Sequence, residues 1–209
     1  MDILCTNHEY VTKLINIAKS YSTYYAWGAF GAPASYKNNK ERYKVPNAPD
    51  SAFLFDCAGF VYKAVPWGWY GDHQRVYGGA GYPSKPGEKY YELNTNDILS
   101  ICSEVSTDFS KIEAGEVLWM SGHVGLYISD GKCVECTSKW DNKCLFSEVT
   151  NCGIQTGLPY KRTWTKHGKM PFLKYVNVDP VNPDNVQLEQ EKIDEIRKSL
   201  NELEVLIHG

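Results

Sequence analysis

The segment of residues 53–65 constrains the fold more than any other part of the sequence. Three apolar residues lead into Asp56-Cys57, and small and aliphatic residues then follow at helical spacing until Pro66, which is predicted to end the helix. Asp56 is a favourable N-cap, so Cys57 is predicted in the first helical turn. Unpaired backbone N–H groups and the helix dipole favour a thiolate there. A buried structural cysteine is the alternative, and this pattern alone does not decide between the two.

Composition restricts the class of protein. With 209 residues the chain can form one domain with a core plus an appendage. It is 43% hydrophobic and 22% charged, as soluble globular proteins are, and its formal net charge of -3 gives no reason to expect nucleic acid or a membrane surface as a partner. Seven cysteines at irregular spacings and no signal-peptide pattern in residues 1–20 lead us to expect free thiols and synthesis in the cytoplasm.

Patterning predicts helices first and strands afterwards. A capping box at residues 6–9 precedes apolar residues at helical spacing to about Tyr21, and Asn96 is predicted to cap a second, short helix. Asp130-Gly131 is predicted as a hairpin turn, and the predicted strands are residues 117–120, 122–128, 133–137, 145–149, 153–156 and 172–175. This order predicts an α+β fold in which N-terminal helices pack on a central antiparallel sheet. Residues 66–91 show neither the helical nor the strand periodicity of apolar residues, and they are predicted to form a long loop.

His123 is the candidate base for a cysteine nucleophile, which needs a proton acceptor and a third group to orient that acceptor. If the hairpin loop after its strand has an odd number of residues, Glu135 returns to the same face of the sheet, within reach of the imidazole. A carboxylate in an apolar strand also needs such a partner. With a four-residue loop the parity fails, and Thr137 or Ser138 becomes the candidate.

Four cysteines between residues 133 and 152 raise the alternative of a structural zinc site. Only Cys133 and Cys136 have CxxC spacing, and in a strand their side chains lie on opposite faces. Buried free thiols are therefore favoured, and we expect no metal. Among the other histidines, His73 is a weaker candidate base and His167 is predicted to lie in a surface turn.

Four segments resemble motifs of the NlpC-type cell-wall cysteine peptidases. Residues 56–60, Asp-Cys-Ala-Gly-Phe, are similar to that family's Asp-Cys-Ser-Gly-Leu signature, and residues 122–128 are similar to its Gly-His-Val-Gly-Ile-Tyr-Ile strand. Residues 25–28, Tyr-Ala-Trp-Gly, resemble its Tyr-Val-Trp-Gly segment, and residues 114–117 its Pro-Gly-Asp-Leu turn. The motifs occur in the family's order across about residues 7–175, and residues 134–137, Val-Glu-Cys-Thr, and residues 162–169 look most like phage-lysin members.

The resemblance implies a papain-like α+β fold and hydrolysis of a stem-peptide amide of peptidoglycan, without a metal or other cofactor. Cys57 would be the nucleophile, His123 the base, and Glu135 falls at the position that orients the imidazole. The bond between D-Glu and the diamino acid and the muramoyl–L-Ala amide are both open as the bond cut. An acyltransferase or amide-modifying enzyme on the same fold is an alternative, as is a non-catalytic wall-binding module, which would lack the dyad.

Substrate contacts are also implied by the resemblance. In members that trim free muropeptides, the upstream tyrosine, the aspartate and the motif serine help to bind the free amine of the substrate; these positions are Tyr25, Asp56 and Ala58. The missing hydroxyl at Ala58 favours an intact stem peptide on the cell wall, reached after release or delivery. Aromatic candidates are Trp27, Trp67, Trp69 and Tyr70, and for the last three core or lid packing is equally open.

The C-terminal part of the chain differs in character from the rest. We predict a catalytic domain at residues 1–178, a proline-containing linker at 179–185 and an amphipathic helix at 186–209. Its apolar residues have coiled-coil spacing: Ile193, Ile196, Leu200, Leu203 and Ile207. A homo-oligomer formed through residues 186–207, docking on the chain's own catalytic domain, and a link to a wall-binding partner are all open.

Overall fold

The computed structural model describes residues 3–70 and 92–177. The helices are α1 (Asn7–Ser20), α2 (Asn39–Arg42), α3, which joins a π-helical stretch (Gly59–Lys63) to an α-helical turn (Ala64–Trp67), and α4 (Thr95–Ile101). The strands are β1 (Cys5–Thr6), β2 (Thr23–Tyr25), β3 (Phe30–Pro33), β4 (Phe53–Phe55), β5 (Ser103–Ser106), β6 (Val117–Met120), β7 (His123–Ser129), β8 (Lys132–Thr137), β9 (Lys143–Val149), β10 (Lys161–Arg162), β11 (Lys166–Lys169) and β12 (Leu173–Lys174). Two 3₁₀ turns, Phe109–Lys111 and Thr150–Cys152, complete this part.

Several predictions fall outside the described residues. They concern most of the loop at residues 66–91, including His73, and the linker and amphipathic helix at residues 179–209. The side chain of Trp67 is also outside them. Within residues 3–70 and 92–177, no helix is both long enough and apolar enough to cross a bilayer.

One large sheet dominates the fold, with the strand order β10-β9-β8-β7-β6-β11-β5. Adjacent strands in this sheet run antiparallel, except for β10 and β9, which run parallel. The small sheet β2-β4-β3 and the pair β1-β12 accompany it. The described part thus mixes helices with a mainly antiparallel sheet, in agreement with the predicted α+β class.

Helix α1 forms as the sequence predicts. The Thr6 side chain accepts from the Glu9 backbone N–H, and the Glu9 carboxylate accepts from the Thr6 N–H, so the capping box closes in both directions. The apolar face packs into the main core, where Tyr10, Leu14 and Ile15 are fully buried. Each such side chain contributes about 1.5–3 kcal/mol when fully buried. This face anchors α1 against the large sheet and against α3.

Helix α3 departs from prediction at its C-terminal end. Pro66 lies inside the helix, which continues to Trp67, although it was predicted to end there. In the π-helical register the carbonyl of Val61 would face residue 66, and a proline has no N–H to donate. The buried hydroxyl of Tyr10 donates to that carbonyl at 2.7 Å instead. A contact from 51 positions earlier in the sequence therefore allows the helix to accommodate its proline.

The β7-β8 hairpin determines which side chains share a face. Its loop is Asp130-Gly131, with φ of 47° and 72°, the left-handed pair that a tight two-residue turn requires. Ser129 lies opposite Lys132 but Tyr127 lies opposite Cys133, so β7 carries one extra residue, a β-bulge. The predicted pairing of His123 with Glu135 required an odd loop; the loop is even, and the bulge restores the parity.

Three local predictions were wrong, and one strand was missed. Asn94, not Asn96, caps α4, because its side chain accepts from the N–H groups of residues 96 and 97. Residues 153–156 form no strand. Strand β11, missed from the sequence, carries His167, which is 3% exposed rather than in a surface turn. Both ring nitrogens of His167 are bonded, to the carboxylate of Glu116 and to the carbonyl of Asp108.

Candidate active site

Cys57 lies between the end of β4 and the start of α3, as predicted. Asp56 caps the helix, since its Oδ1 accepts from the Gly59 N–H at 2.5 Å. The thiol is 3% exposed and belongs to the main core. The backbone N–H of Val124, the residue after His123, lies near enough to the sulfur to lower the pKa of Cys57. This proximity brings the start of β7, and with it His123, to the helix terminus that carries Cys57.

The protonation of Cys57 differs from the expectation based on the helix terminus. Burial and the neighbouring carboxylate of Asp56 raise the pKa of Cys57 to about 11, and the N–H groups of Val124, Ala58 and Cys57 itself oppose this only in part. The helix terminus alone therefore does not maintain a thiolate. Catalysis by this sulfur needs a base that takes the thiol proton during attack.

His123 meets its predicted partner. Its Nε2 lies 2.6 Å from Oε2 of Glu135, which is fully buried on the neighbouring strand. Since Nε2 is engaged by the carboxylate, Nδ1 is the ring nitrogen that Glu135 leaves available. The bulge in β7 makes this pair possible, because without it Glu135 would lie on the opposite face of the sheet.

Glu135 has two further partners that the sequence analysis missed. Arg162 on β10 places Nε 3.0 Å from Oε1 and Nη2 2.7 Å from Oε2. Ser147 on β9 donates its hydroxyl to Oε1 at 2.5 Å. Burial alone would raise the pKa of Glu135, but the hydrogen bonds from His123 and Arg162 outweigh it, so the pKa is lowered and the carboxylate is ionised. No local pattern signals these partners, because they come from strands further along the chain.

Aromatic rings fix the orientation of the imidazole. The ring of Trp164 stacks on His123 with centroids 5.5 Å apart and planes 12° from parallel. Gly125 on β7 lies beside the indole of Trp164. A Cβ at this position would come within 2.8 Å of the indole, so only glycine fits here. The imidazole is therefore held by a hydrogen bond at one edge and by a ring against one face.

The predicted Tyr25 and Asp56 lie beside the thiol. Burial, together with the proximity of Cys57 and Asp56, raises the pKa of Tyr25, so its phenol is a hydrogen-bond donor throughout the neutral range. Asp56 is 7% exposed, and its Oδ2 accepts from the Gly28 N–H at 2.7 Å. Asp56 thus clamps the Trp27–Gly28 turn to the start of α3. Its contact with a substrate amine remains a prediction.

The aromatic candidates separate into two groups. Trp27 is 76% exposed and Tyr70 is 53% exposed, so both present rings to solvent. Trp69 is buried and packs edge-on against Tyr21 and Phe53. Core packing, the alternative left open for Trp69, is what the structure shows, and its ring offers no surface to a ligand.

The cysteines of the zinc alternative do not converge. Cys133 contacts the Ser147 hydroxyl at 3.0 Å, whereas Cys136 donates to the carbonyl of Phe55 at 3.3 Å on the other face of the sheet. Within residues 3–70 and 92–177 no three His, Cys, Asp or Glu side chains are grouped so as to hold a metal ion. A thiol, an imidazole and an ionised carboxylate are the three groups that thiol-based acyl transfer uses.

Comparisons with known proteins find similarity at the level of structure. No protein-family model matches the sequence, and no curated protein matches it. The peptidoglycan hydrolase RipB from Mycobacterium tuberculosis is 18% identical with a TM-score of 0.44, over 81% of this chain and 67% of that one. The P60 domain of an antigen from M. avium subspecies paratuberculosis is 17% identical with a TM-score of 0.43, over 81% of this chain and 96% of that one.

NlpC2 from Trichomonas vaginalis is 15% identical with a TM-score of 0.40, over 77% of this chain and 46% of that one, so the chain spans less than half of that protein's length. At these scores the likeness is loose, and the chemistry depends on the residues of the site. The solved structures to which this chain is similar include NlpC and P60 domain proteins and a peptidoglycan hydrolase.

Proposed function

We propose that the chain is a cysteine peptidase or amidase that hydrolyses an amide bond in the stem peptide of peptidoglycan. The observation that carries this proposal is the 2.6 Å contact between His123 Nε2 and the buried carboxylate of Glu135; the next residue, Val124, has its N–H near enough to Cys57 to lower the pKa of that thiol. These contacts support the proposal that Cys57 acts as nucleophile, His123 as base and Glu135 as the orienting group. The substrate class rests on the four motifs that resemble the NlpC-type peptidases.

The first half of the reaction forms a thioester. Nδ1 of His123 takes the thiol proton of Cys57 while the sulfur attacks the amide carbonyl, since the raised pKa of the thiol means that attack and proton transfer belong together. The imidazolium that forms is stabilised by the ionised Glu135 at 2.6 Å. His123 then gives the proton to the nitrogen of the breaking C–N bond, and the amine leaves.

Stabilisation of the oxyanion is assigned to two donors near the sulfur. The backbone N–H of Cys57 lies at the start of α3, and the protonated phenol of Tyr25 is close enough to Cys57 for that thiol to contribute to the raised pKa of the phenol. Such donors act most strongly where water is excluded, as at this buried thiol. In the second half, His123 deprotonates a water molecule that attacks the thioester, which releases the carboxylic acid and restores the thiol.

Ala58 supports an intact stem peptide as substrate. Its methyl group stands where the resembled motif has a serine that helps to bind a free amine, and it is 6% exposed. Trp27, exposed at the turn that Asp56 clamps, is proposed to contact the substrate from the solvent side. Action on the cell wall after release or delivery is part of the same proposal.

Purified peptidoglycan tests this function. The wild-type protein should release soluble fragments, and Cys57→Ser and His123→Ala should each abolish release while keeping the unfolding transition of the wild type. Cys152→Ser, which changes a half-buried thiol in the 3₁₀ turn after β9, serves as the matched control and should remain active. Mass spectrometry of the fragments identifies the new termini and hence the bond. Lysis by the Cys57→Ser protein, or alkylation of another cysteine coupled to loss of activity, would contradict the proposal.

A further inference from the structure

We propose that Arg162 is a positioning residue of the active site, which holds the Glu135 carboxylate as a fixed anion behind His123. This inference rests on the proposed function for its catalytic consequences, but its geometry is independent of the substrate. Arg162 lies 27 positions after Glu135 in the sequence, and it is not one of the site residues predicted from the sequence.

The Arg162 guanidinium contacts both oxygens of the Glu135 carboxylate. Nε lies 3.0 Å from Oε1, and Nη2 lies 2.7 Å from Oε2, the paired geometry that a planar guanidinium and a carboxylate form together. His123 is a second hydrogen-bond partner of Oε2, and the Ser147 hydroxyl is a second donor to Oε1. Four donors therefore meet the roughly four lone-pair positions that a carboxylate offers.

Burial makes this ion pair consequential. The side chain of Glu135 is 0% exposed and that of Arg162 is 7% exposed, so neither charge is screened by bulk water. An unpaired carboxylate at this depth would be strongly disfavoured and would take up a proton. Arg162 is the permanent cation that prevents this, since a guanidinium does not lose its charge in proteins.

Packing fixes the guanidinium in place. It lies between two indoles, 4.6 Å from the ring centroid of Trp140 and 5.4 Å from that of Trp164. Trp164 in turn stacks on His123, so one indole contacts both the cation and the imidazole. Nη2 also reaches the hydroxyl of Thr137 at 3.3 Å. The orientation of Arg162 and that of the base are consequently set by the same ring.

The consequence concerns where the proton resides during the reaction. Because Arg162 and Ser147 also donate to Glu135 and its pKa is lowered, transfer of the Nε2 proton from the imidazolium to the carboxylate is disfavoured. The proton stays on the imidazole and is available for the leaving amine. Removing Arg162 would raise the pKa of Glu135, because the hydrogen bond and the positive charge of the guanidinium would no longer oppose the effect of burial.

A direct contact between Arg162 and a substrate carboxylate is the competing role. It is disfavoured because the side chain is 7% exposed and its donors already have partners in Glu135 and Thr137. The two roles separate kinetically. A substrate contact raises KM when it is removed, whereas a positioning residue lowers kcat with little change in KM.

The test uses the full chain and two readouts. Arg162→Met removes the charge at similar volume, and Lys161→Met is the matched control, since Lys161 is the neighbouring cation and pairs with Glu148 at the surface. We expect Arg162→Met to lower kcat about 10- to 100-fold, the effect of losing a charge-assisted bidentate pair. The acid limb of its kcat/KM profile should move to higher pH, while Lys161→Met should match the wild type.

The second readout needs no substrate. The rate of alkylation of Cys57 by iodoacetamide, followed by mass spectrometry over pH, should show the same displacement in Arg162→Met. If peptidoglycan is not cleaved at all but this displacement is present, the proposed function fails and the inference about Arg162 stands. An alkylation profile identical to that of the wild type, or a rise in KM at unchanged kcat, would overturn the inference.

Two further variants keep the test decisive if Arg162→Met folds poorly. In Arg162→Ala, added guanidinium at concentrations well below denaturing ones should restore part of the lost rate, and no recovery counts against the inference. In a Glu135→Gln background, Arg162→Met should cause little additional loss, because the role of Arg162 is exercised through Glu135. Full additivity of the two losses would also overturn it.

Discussion

Gly59→Ala provides a test of how the nucleophile is positioned, because local and tertiary effects predict opposite signs. Gly59 lies in α3, where its backbone is helical. Replacing a helical glycine with alanine ordinarily stabilises a protein by about 0.5–1 kcal/mol, since glycine loses more conformational entropy on folding. Helix propensity alone therefore predicts a more stable variant.

The tertiary structure reverses this expectation. A Cβ at Gly59 would lie 2.0 Å from the carbonyl oxygen of Ala29, far inside the 3.4 Å at which ordinary contact begins, and 2.9 Å from Oδ1 of Asp56. The obstructing carbonyl accepts the Asp56 N–H at 2.8 Å, so relief of the clash breaks that bond. A buried hydrogen bond left unmade costs about 1–3 kcal/mol, and overpacking costs about 1–3 kcal/mol. After the propensity gain, a net loss of about 1–5 kcal/mol is expected.

Urea unfolding followed by tryptophan fluorescence measures this loss, because the buried Trp69 reports on the same core. Gly157→Ala is the matched control: its φ is 74° but nothing lies within 4 Å of a new Cβ. It should lose only the strain of a left-handed alanine, about 1–2 kcal/mol. Peptidoglycan cleavage by Gly59→Ala should also fall, since the shift separates the Tyr25–Gly28 segment from Cys57. A Gly59→Ala protein as stable as the wild type would refute the reasoning.

The remaining predictions concern other parts of the chain. Tyr10→Phe should lower the free energy of unfolding by about 1–3 kcal/mol, because the Val61 carbonyl loses its donor; an unchanged urea midpoint would contradict this role. The pKa of Glu135 is lowered in the folded state, so its contribution to stability is present above the ordinary carboxyl pKa and disappears as pH falls through the folded pKa. Glu135→Gln should therefore flatten the acid side of the plot of unfolding free energy against pH. An unchanged slope would count against the ion pairing. Activity should persist in EDTA, whereas loss that zinc reverses would favour the metal alternative. Light scattering of the chain with and without residues 180–209 tests the predicted oligomer, which a monomer in both samples would exclude.

Features that depend on a few neighbouring residues were predictable. The capping box of α1, the left-handed Asp130-Gly131 turn and the Asp56 cap before Cys57 each require residues within four positions of one another, and the structure contains all three. The correct cap of α4 was also available in principle. Asn94 and Asp97 form a capping box of the same kind, and the sequence analysis chose Asn96 instead.

Features that depend on distant partners were not predictable. His167 lies among lysines and a glycine, which favours a surface turn, yet it is buried because Glu116 and Asp108 come from 51 and 59 positions away to bond both ring nitrogens. Pro66 remains helical for a similar reason, through Tyr10. A pattern read along the chain contains no information about which remote group will satisfy a buried polar atom.

The sequence by itself determined the candidate nucleophile, the candidate base and the parity condition under which Glu135 could reach His123, because cap, strand alternation and motif spacing are local properties. Only the tertiary structure decided whether the condition was met. The loop has an even number of residues, and a bulge in β7, which depends on the pairing of two whole strands, returns Glu135 to the face of His123. It also supplied Arg162 and Ser147, since a buried carboxylate must be satisfied by whichever strands the completed sheet places beside it.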